Sequence, residues 1–388
     1  MRPWLALAAA ALGGAPAWAE TPSPPFAGVW AGTLGTARIQ VCLVGDGSAE
    51  YYYLRHKRGI RLEAPGASAN ANGADLIARA LASGRLELEE RMQGPAADGK
   101  LTGRWKLQPD DKGGLVGAWT APDGKAQAPI QLARVTAPFK TRVSYAGGDD
   151  CHPSFYEPLR SGLRLKMADA KFEGHAYRTV ETGQATALEL PPGTPHAATI
   201  NAHAIDWLKD QAVLAYQCEI GRGGTDEPLG SSLAPAVWSQ AWLVLRDLLP
   251  DTYCGGAHGN AALSYVTWSL ERGERVDTWK WIQGGGQALK VRQNAAGDEI
   301  KAPLMQLLEQ LHPRNQKDDE CAEVIEQMDL SAPYPTSTAL VFPTTFFHAM
   351  RACSDEITLS WKQAAPFLSA QGRAAMAAST KAAPYSPR

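Results

Sequence analysis

The sequence predicts an α+β protein: an N-terminal antiparallel β-meander or small barrel over residues 26–136, then a mixed α+β unit over residues 150–370. Three observations carry that expectation. First, the early segments alternate with period two. In "ARIQVCLV", Ile39, Val41 and Leu43 alternate with Arg38 and Gln40, and "RLELEER" sets Leu86 and Leu88 against Arg85, Glu87 and Glu89. That period gives a strand one buried and one wet face. Second, a Gly-x-Trp triplet recurs at Gly28–Trp30, Gly103–Trp105 and Gly117–Trp119. Glycine in a strand marks a bend or a close backbone approach, and the tryptophan two residues on shares its face. Third, helix-period and strand-period segments intermix beyond residue 150, which excludes an all-β chain throughout.

In chain order, "MRPWLALAAAALGGAPAWAE" carries an early cation at Arg2, a short apolar stretch, and Ala17-Trp18-Ala19 before Glu20. This is the layout of a cleavable secretory signal over residues 1–19, so the expected location is periplasmic or secreted. No later run reaches the roughly 18 apolar residues of a membrane helix. In the first unit, turns such as "ADGK" and "PDGK" separate the strands, and "LTGRWKLQPDDKGGLVGAWTAPDGKAQAPIQLARV" reads as three consecutive strands. The tryptophans read as core packing, with a lipocalin-like ligand cup as the other reading. "RHKRGIR", Arg55 to Arg61, reads as a solvated hairpin end.

Residues 137–165, including "AGGDDCHPSF", form a turn-rich link. Beyond it, "HAATINAHAIDWLKDQAVLAYQ" has Ile200, Ala204, Trp207, Leu208 and Leu214 near helical spacing. "QAWLVLRDLL" and "ALSYVTWSLERGERVDTW" are expected strands, the second turning at Arg272-Gly273. "EIKAPLMQLLEQLHP" is an expected helix ended by Pro313, and "KDDECAEVIEQM" a short one with acidic residues at its start. "TALVFP" and "EITLSW" are expected strands, and residues 371–388 an expected flexible tail.

A net charge of -2 removes the electrostatic case for a nucleic-acid partner. Cys42, Cys151, Cys218, Cys254, Cys321 and Cys353 make an even count, which in an exported protein favours disulfides. Many connectivities are open. Cys321 with Cys353 and Cys218 with Cys254 are preferred because each pair lies within one unit, and Cys42 with Cys151 would tie the first unit to its exit.

"YCGGAHGN", Tyr253 to Asn260, stands between two expected strands. Gly255, Gly256 and Gly259 permit a tight connection, within which His258 is expected to bond nearby carbonyls and fix the turn. Tyr253, Gly255, Gly256, His258 and Asn260 are the candidate binding residues, with the imidazole presented on a fixed loop. No catalytic residue is assigned. The zinc-peptidase spacing, the serine-nucleophile elbow and the phosphate loop are absent from the sequence, so neither a metal nor a cofactor is expected. Trp238, Trp242, Trp268, Trp279 and Trp281 crowd one stretch and read mainly as core, with sugar stacking as the other use.

Four stretches resemble a known family: "INAHAIDWL" (Ile200 to Leu208), "YCGGAHGN", "SYVTWSLERGERVDTWKWI" (Ser264 to Ile282), and the ending "ALVFPTTFFHAM" with "EITLSWKQAAPFL". The family is the extracytoplasmic domain of unknown function shared by the lysozyme-responsive anti-sigma factor and a peptidoglycan deacetylase. The resemblance covers about residues 150–370, and "FFHAMRACSDE" stands where members often carry a different turn. It implies a non-catalytic envelope module that binds or senses a peptidoglycan fragment or a lysozyme-like protein. The alternative function is a cell-wall hydrolase using His258 with an acidic partner.

Overall fold

The computed structural model describes residues 26–43, 49–65, 83–91, 99–136, 154–221, 230–249, 262–289, 292–293, 299–300, 302–316 and 319–381. Strands β1 (Gly28–Leu34), β2 (Ala37–Leu43), β3 (Ala49–Tyr53), β4 (Gly59–Glu63), β5 (Leu86–Arg91), β6 (Leu101–Pro109), β7 (Leu115–Thr120) and β8 (Gln127–Arg134) form a closed antiparallel barrel. Each strand pairs with the next, and β8 returns to β1 through Trp30↔Arg134 to Leu34↔Ile130. Closure leaves no unpaired sheet edge.

The inward half of the alternation sorts as expected, whereas Gln40, expected on a wet face, is buried because residues 154–159 and α2 cover that side of the barrel. Ile39, Val41 and Leu43 point inward with Trp30, Tyr51, Leu62, Leu88, Trp105, Leu107, Leu115 and Ile130, and these side chains fill the barrel. Each contributes roughly 1.5–3 kcal/mol on burial. The interior is therefore packed core, not a ligand cup. The Gly-x-Trp triplet around Gly103 has a specific cause: a Cβ there would lie 2.0 Å from Nε1 of Trp119 on the neighbouring strand. Glycine leaves room for that indole to lie across β6.

After α1 (Glu157–Arg160), the chain forms a seven-stranded sheet in the order β15-β14-β13-β12-β11-β10-β9. The strands are β9 (Lys166–Phe172), β10 (His175–Glu181), β11 (Ala185–Glu189), β12 (Ser231–Trp238), β13 (Trp242–Leu249), β14 (Ala262–Ser269) and β15 (Glu274–Val276). Only β11 and β12 are parallel neighbours, and helix α2 (Ala197–Gly221) connects them. A parallel pair requires such a crossover, whereas the antiparallel neighbours need only short links.

Beyond the sheet come β16 (Arg292–Gln293), β17 (Glu299–Ile300), α3 (Pro303–Leu311), β18 (Asp329–Leu330), β19 (Tyr334–Pro335), β20 (Ala339–Thr345), β21 (Glu356–Ser360), α4 (Trp361–Ala364) and α5 (Ala370–Lys381). Strand β20 is central to a second sheet, pairing with β18, β19 and β21. Val244 and Tyr265 of the large sheet pack against Tyr334 and Val341 of the small one, while α2 covers the large sheet's other face.

Helix α2 serves two cores. Ile200, Ala204, Trp207 and Leu208 pack on the sheet; Val213, Tyr216 and Ile220 pack on the outside of the barrel against Val29, Cys42 and Tyr52. Phe155, Tyr156 and Leu159 complete that seam. Across it, Tyr52 OH donates to the Phe155 carbonyl at 2.5 Å and Gln40 Nε2 donates to the Ser154 carbonyl at 3.1 Å. The basic β3–β4 turn does more than meet solvent. Lys57 Nζ donates to the Ser161 carbonyl, and Arg58 Nε reaches Glu219 Oε1 at 2.8 Å.

The C-terminal end differs from the expected flexible tail, because α5 continues to Lys381. Ala375 and Ser379 are buried in it, and Trp242 Nε1 donates to Ser379 Oγ at 2.9 Å. Small residues suit close packing here: a Cβ on Gly372 would lie 2.2 Å from the Trp281 carbonyl oxygen. Cys321 and Cys353 form the expected disulfide. Closing a loop of sequence separation 32 stabilises the fold by about 3–4 kcal/mol. Cys42 and Cys218 are also disulfide-bonded, and their expected partners Cys151 and Cys254 lie outside the described residues.

Candidate functional site

Tyr253, Gly255, Gly256, His258 and Asn260 fall in the connection from β13 to β14, outside the described residues. The two strands they join are antiparallel, with Leu249↔Ala262 the pair nearest that connection. Nothing in the described structure assigns these five residues a contact. Polar groups gathered elsewhere supply the candidates.

A concavity lies over β9, β10 and β11 beside the start of α2. Its volume is about 730 Å³. Register places Asp169 of β9, Arg178 of β10 and Glu189 of β11 in one row across the sheet. Arg178 Nη2 pairs with Glu189 Oε2, while Asp169 makes no ion pair among the described residues. Tyr177, Pro191, Pro192 and Thr194 add largely apolar wall.

Two devices hold the wall in place. Asn201 on α2 accepts from the Leu190 backbone N–H at 2.8 Å and donates to its carbonyl at 3.0 Å. The side chain thereby substitutes for a strand partner at the end of β11. His196 adopts the left-handed region at φ 57, and its carbonyl accepts from Thr199 N and Ile200 N as α2 begins. Its Nε2 lies 3.2 Å from the Glu271 carbonyl oxygen. A Cβ on Gly273 would stand 2.3 Å from the His196 ring, which fixes glycine in that turn. His196 and His203 accordingly do not share a helical face: His196 precedes α2, and His203 packs edge-on to Trp268.

A second polar group lies between the sheets. Tyr265 OH donates to Glu356 Oε1, and Tyr334 OH donates to Glu356 Oε2 at 2.9 Å. The rings stack with centroids 4.3 Å apart. Burial, and then the neighbouring Glu356, pushes both phenols well above the ordinary range. They act as hydrogen-bond donors at any physiological pH.

Inside the barrel, Glu90 Oε2 accepts from Tyr51 OH at 2.8 Å, Trp119 Nε1 at 3.0 Å and Trp105 Nε1 at 3.2 Å. Its Oε1 accepts from Thr102 Oγ1 at 2.9 Å. The carboxylate is saturated by neutral donors, which suits a structural knot better than a ligand site. Two further histidines are buried. His175 stacks on Trp238 at 4.7 Å, and His312 Nε2 meets Thr344 Oγ1 at 3.2 Å. Burial lowers the pKa of both.

Among the described residues, no group of three or more His, Cys, Asp and Glu side chains gathers for a metal ion, and no helix is long and apolar enough to cross a membrane. Of the crowded tryptophans, Trp238, Trp242, Trp268 and Trp281 are buried, so they are core. Sequence reasoning missed Asp169, Arg178 and Glu189. Each sits in a short segment whose charges look like solvated strand positions, and only strand register aligns them.

No protein-family model matches this chain, and no curated protein matches it. Among solved structures, a DUF3298 family protein from Pseudomonas aeruginosa PAO1 is similar over 55% of this chain and 97% of its own. The likeness is weak, with 13% identity and a TM-score of 0.31.

Proposed function

We propose that the chain is a non-catalytic binding or sensing module of the bacterial envelope, with a peptidoglycan fragment as the ligand of the β9–β11 cleft. The observation that carries this reading is the cleft itself: a charged floor with apolar walls, large enough for a disaccharide-peptide. Pro191 and Pro192 offer flat apolar surface to sugar rings, while Asp169 offers charge to peptide groups. The resemblance of residues 150–370 to the anti-sigma-factor and deacetylase domain supports the same class. Disulfide-bonded cysteines suit an oxidising, extracytoplasmic compartment.

Equilibrium binding of soluble peptidoglycan fragments, run beside lysozyme, tests the reading. Ala198 is exposed in the first turn of α2 and lines the cleft, so Ala198→Trp should fill it. Saturable fragment binding that Ala198→Trp abolishes is the expected result. Binding of neither probe, or fragment binding indifferent to Ala198→Trp, overturns the proposal. Saturable binding of lysozyme alone would replace the glycan ligand with a protein one.

A further inference from the structure

The charge arrangement of the cleft narrows its ligand. Arg178 is the register partner of both Asp169 and Glu189, one on each side. It pairs with Glu189, with the two side chains 50% and 29% exposed. Asp169 is left as a carboxylate without a cation among the described residues. Lys171 shares its face two positions along β9 and still makes no ion pair with it. The lining thus holds one more carboxylate than guanidinium, and His196 is its only other ionisable side chain besides the Tyr177 phenol.

We infer that the cleft selects a ligand carrying a primary ammonium group, with Asp169 as its counter-ion. The inference rests on the cleft being the binding site. Asp169 is exposed on the edge strand β9, so an ammonium there gains a surface charge-assisted hydrogen bond, modest in size and screened by salt. The Arg178–Glu189 pair sets the geometry: its guanidinium is already engaged, so a ligand carboxylate meets a neutralised cation, whereas a ligand ammonium meets a free anion. Pro191 and Pro192 then cover the carbon skeleton next to the amine. Two kinds of molecule bring such an amine, an amino sugar and the side chain of a diamino acid.

The test compares each amine with its acetylated form. The probes are a chitosan tetrasaccharide against its N-acetylated counterpart, and a lysine-containing wall peptide against its ε-N-acetyl derivative. Calorimetry should show roughly two- to fivefold tighter binding of a free-amine form, weakening as salt is raised. Asp169→Asn should erase that advantage, bringing the two forms to the same affinity, and keep the thermal midpoint of the wild type. The probe that shows the gain identifies the amine's source. Equal affinity for both forms, or an advantage that survives Asp169→Asn, overturns the inference. If acetylated fragments bind and Ala198→Trp blocks them with no amine preference, the cleft stands and only the ammonium selectivity falls. If no fragment binds, both readings fall together.

Discussion

Glu50 stands directly across the β3–β4 pair from Arg61, on the outer face of the barrel where α2 docks. Tyr52 and Tyr216 flank it, and Arg61 Nη2 also reaches the Ile220 carbonyl at 3.4 Å. Burial in this seam pushes the Glu50 carboxyl up to about 7, against the lowering effect of Arg61.

Glu50 therefore makes the seam respond to pH. Its folded value exceeds the unfolded value of about 4.3, so its stabilising contribution is fully present below that pH and is lost as pH rises through about 7. Glu50→Gln should raise stability at pH 8 by up to about 3 kcal/mol and change little near pH 4.5. Denaturant titrations at both pH values check this; a gain of equal size at both would refute it.

Gly59 is where β4 meets the end of α2. A Cβ there would lie 2.2 Å from Ile220 Cδ1 and 3.1 Å from Tyr216 Cε2. Because the nearer atom ends a flexible side chain, Gly59→Ala should cost about 1–2 kcal/mol, much of it recovered by adding Ile220→Ala. A double-mutant cycle measures the coupling. Simple additivity would mean that the two residues do not share the contact.

Removing the acceptor at Glu90 should be costly. Glu90→Ala leaves Tyr51, Trp105 and Trp119 without their partner, while Thr102 keeps the backbone carbonyl of residue 90; the expected loss is about 3–5 kcal/mol. Glu90→Gln keeps one acceptor oxygen and should cost about 1–2 kcal/mol. Equilibrium unfolding followed by tryptophan fluorescence separates the two, and equal costs would argue against the shared-acceptor account.

His312 acts in the opposite pH sense to Glu50. Its Nδ1 accepts from the Arg314 backbone N–H, so Nε2 carries the proton that faces Thr344. Burial lowers its pKa, with Asp355 raising it in part. The stability it contributes is present above the unfolded value of about 6.5 and is lost as pH falls toward the folded value. His312→Asn should shallow the decline in thermal midpoint between pH 6.5 and pH 5. An unchanged slope would assign that decline to other groups, such as His175, whose pKa burial also lowers.

Legibility in the sequence followed the range of the physics. The inward set Ile39, Val41 and Leu43 was readable because side-chain alternation is a property of one strand. The same holds for the apolar spacing of Ile200, Ala204 and Leu208. Arg58 looked like a solvated hairpin charge because its partner Glu219 lies 161 positions along the chain. The residues from Gln371 looked like a tail because an Ala-rich, Ser-rich composition does not reveal that Trp242 and Trp281 wait to pack against it.

By itself, then, the amino-acid order determined the β-then-α+β division, the inward and outward faces of the barrel strands and the use of cysteines in disulfides, with Cys321–Cys353 a preference that the structure settled. Each depends on local periodicity or on a cysteine count. Tertiary structure decided that the meander closes, that α2 packs on both the barrel and the sheet, and that Asp169, Arg178 and Glu189 form one row. Strand register is the physical reason. A shift of one residue sends a side chain to the opposite face, and register is set by distant pairing and burial rather than by neighbouring residues.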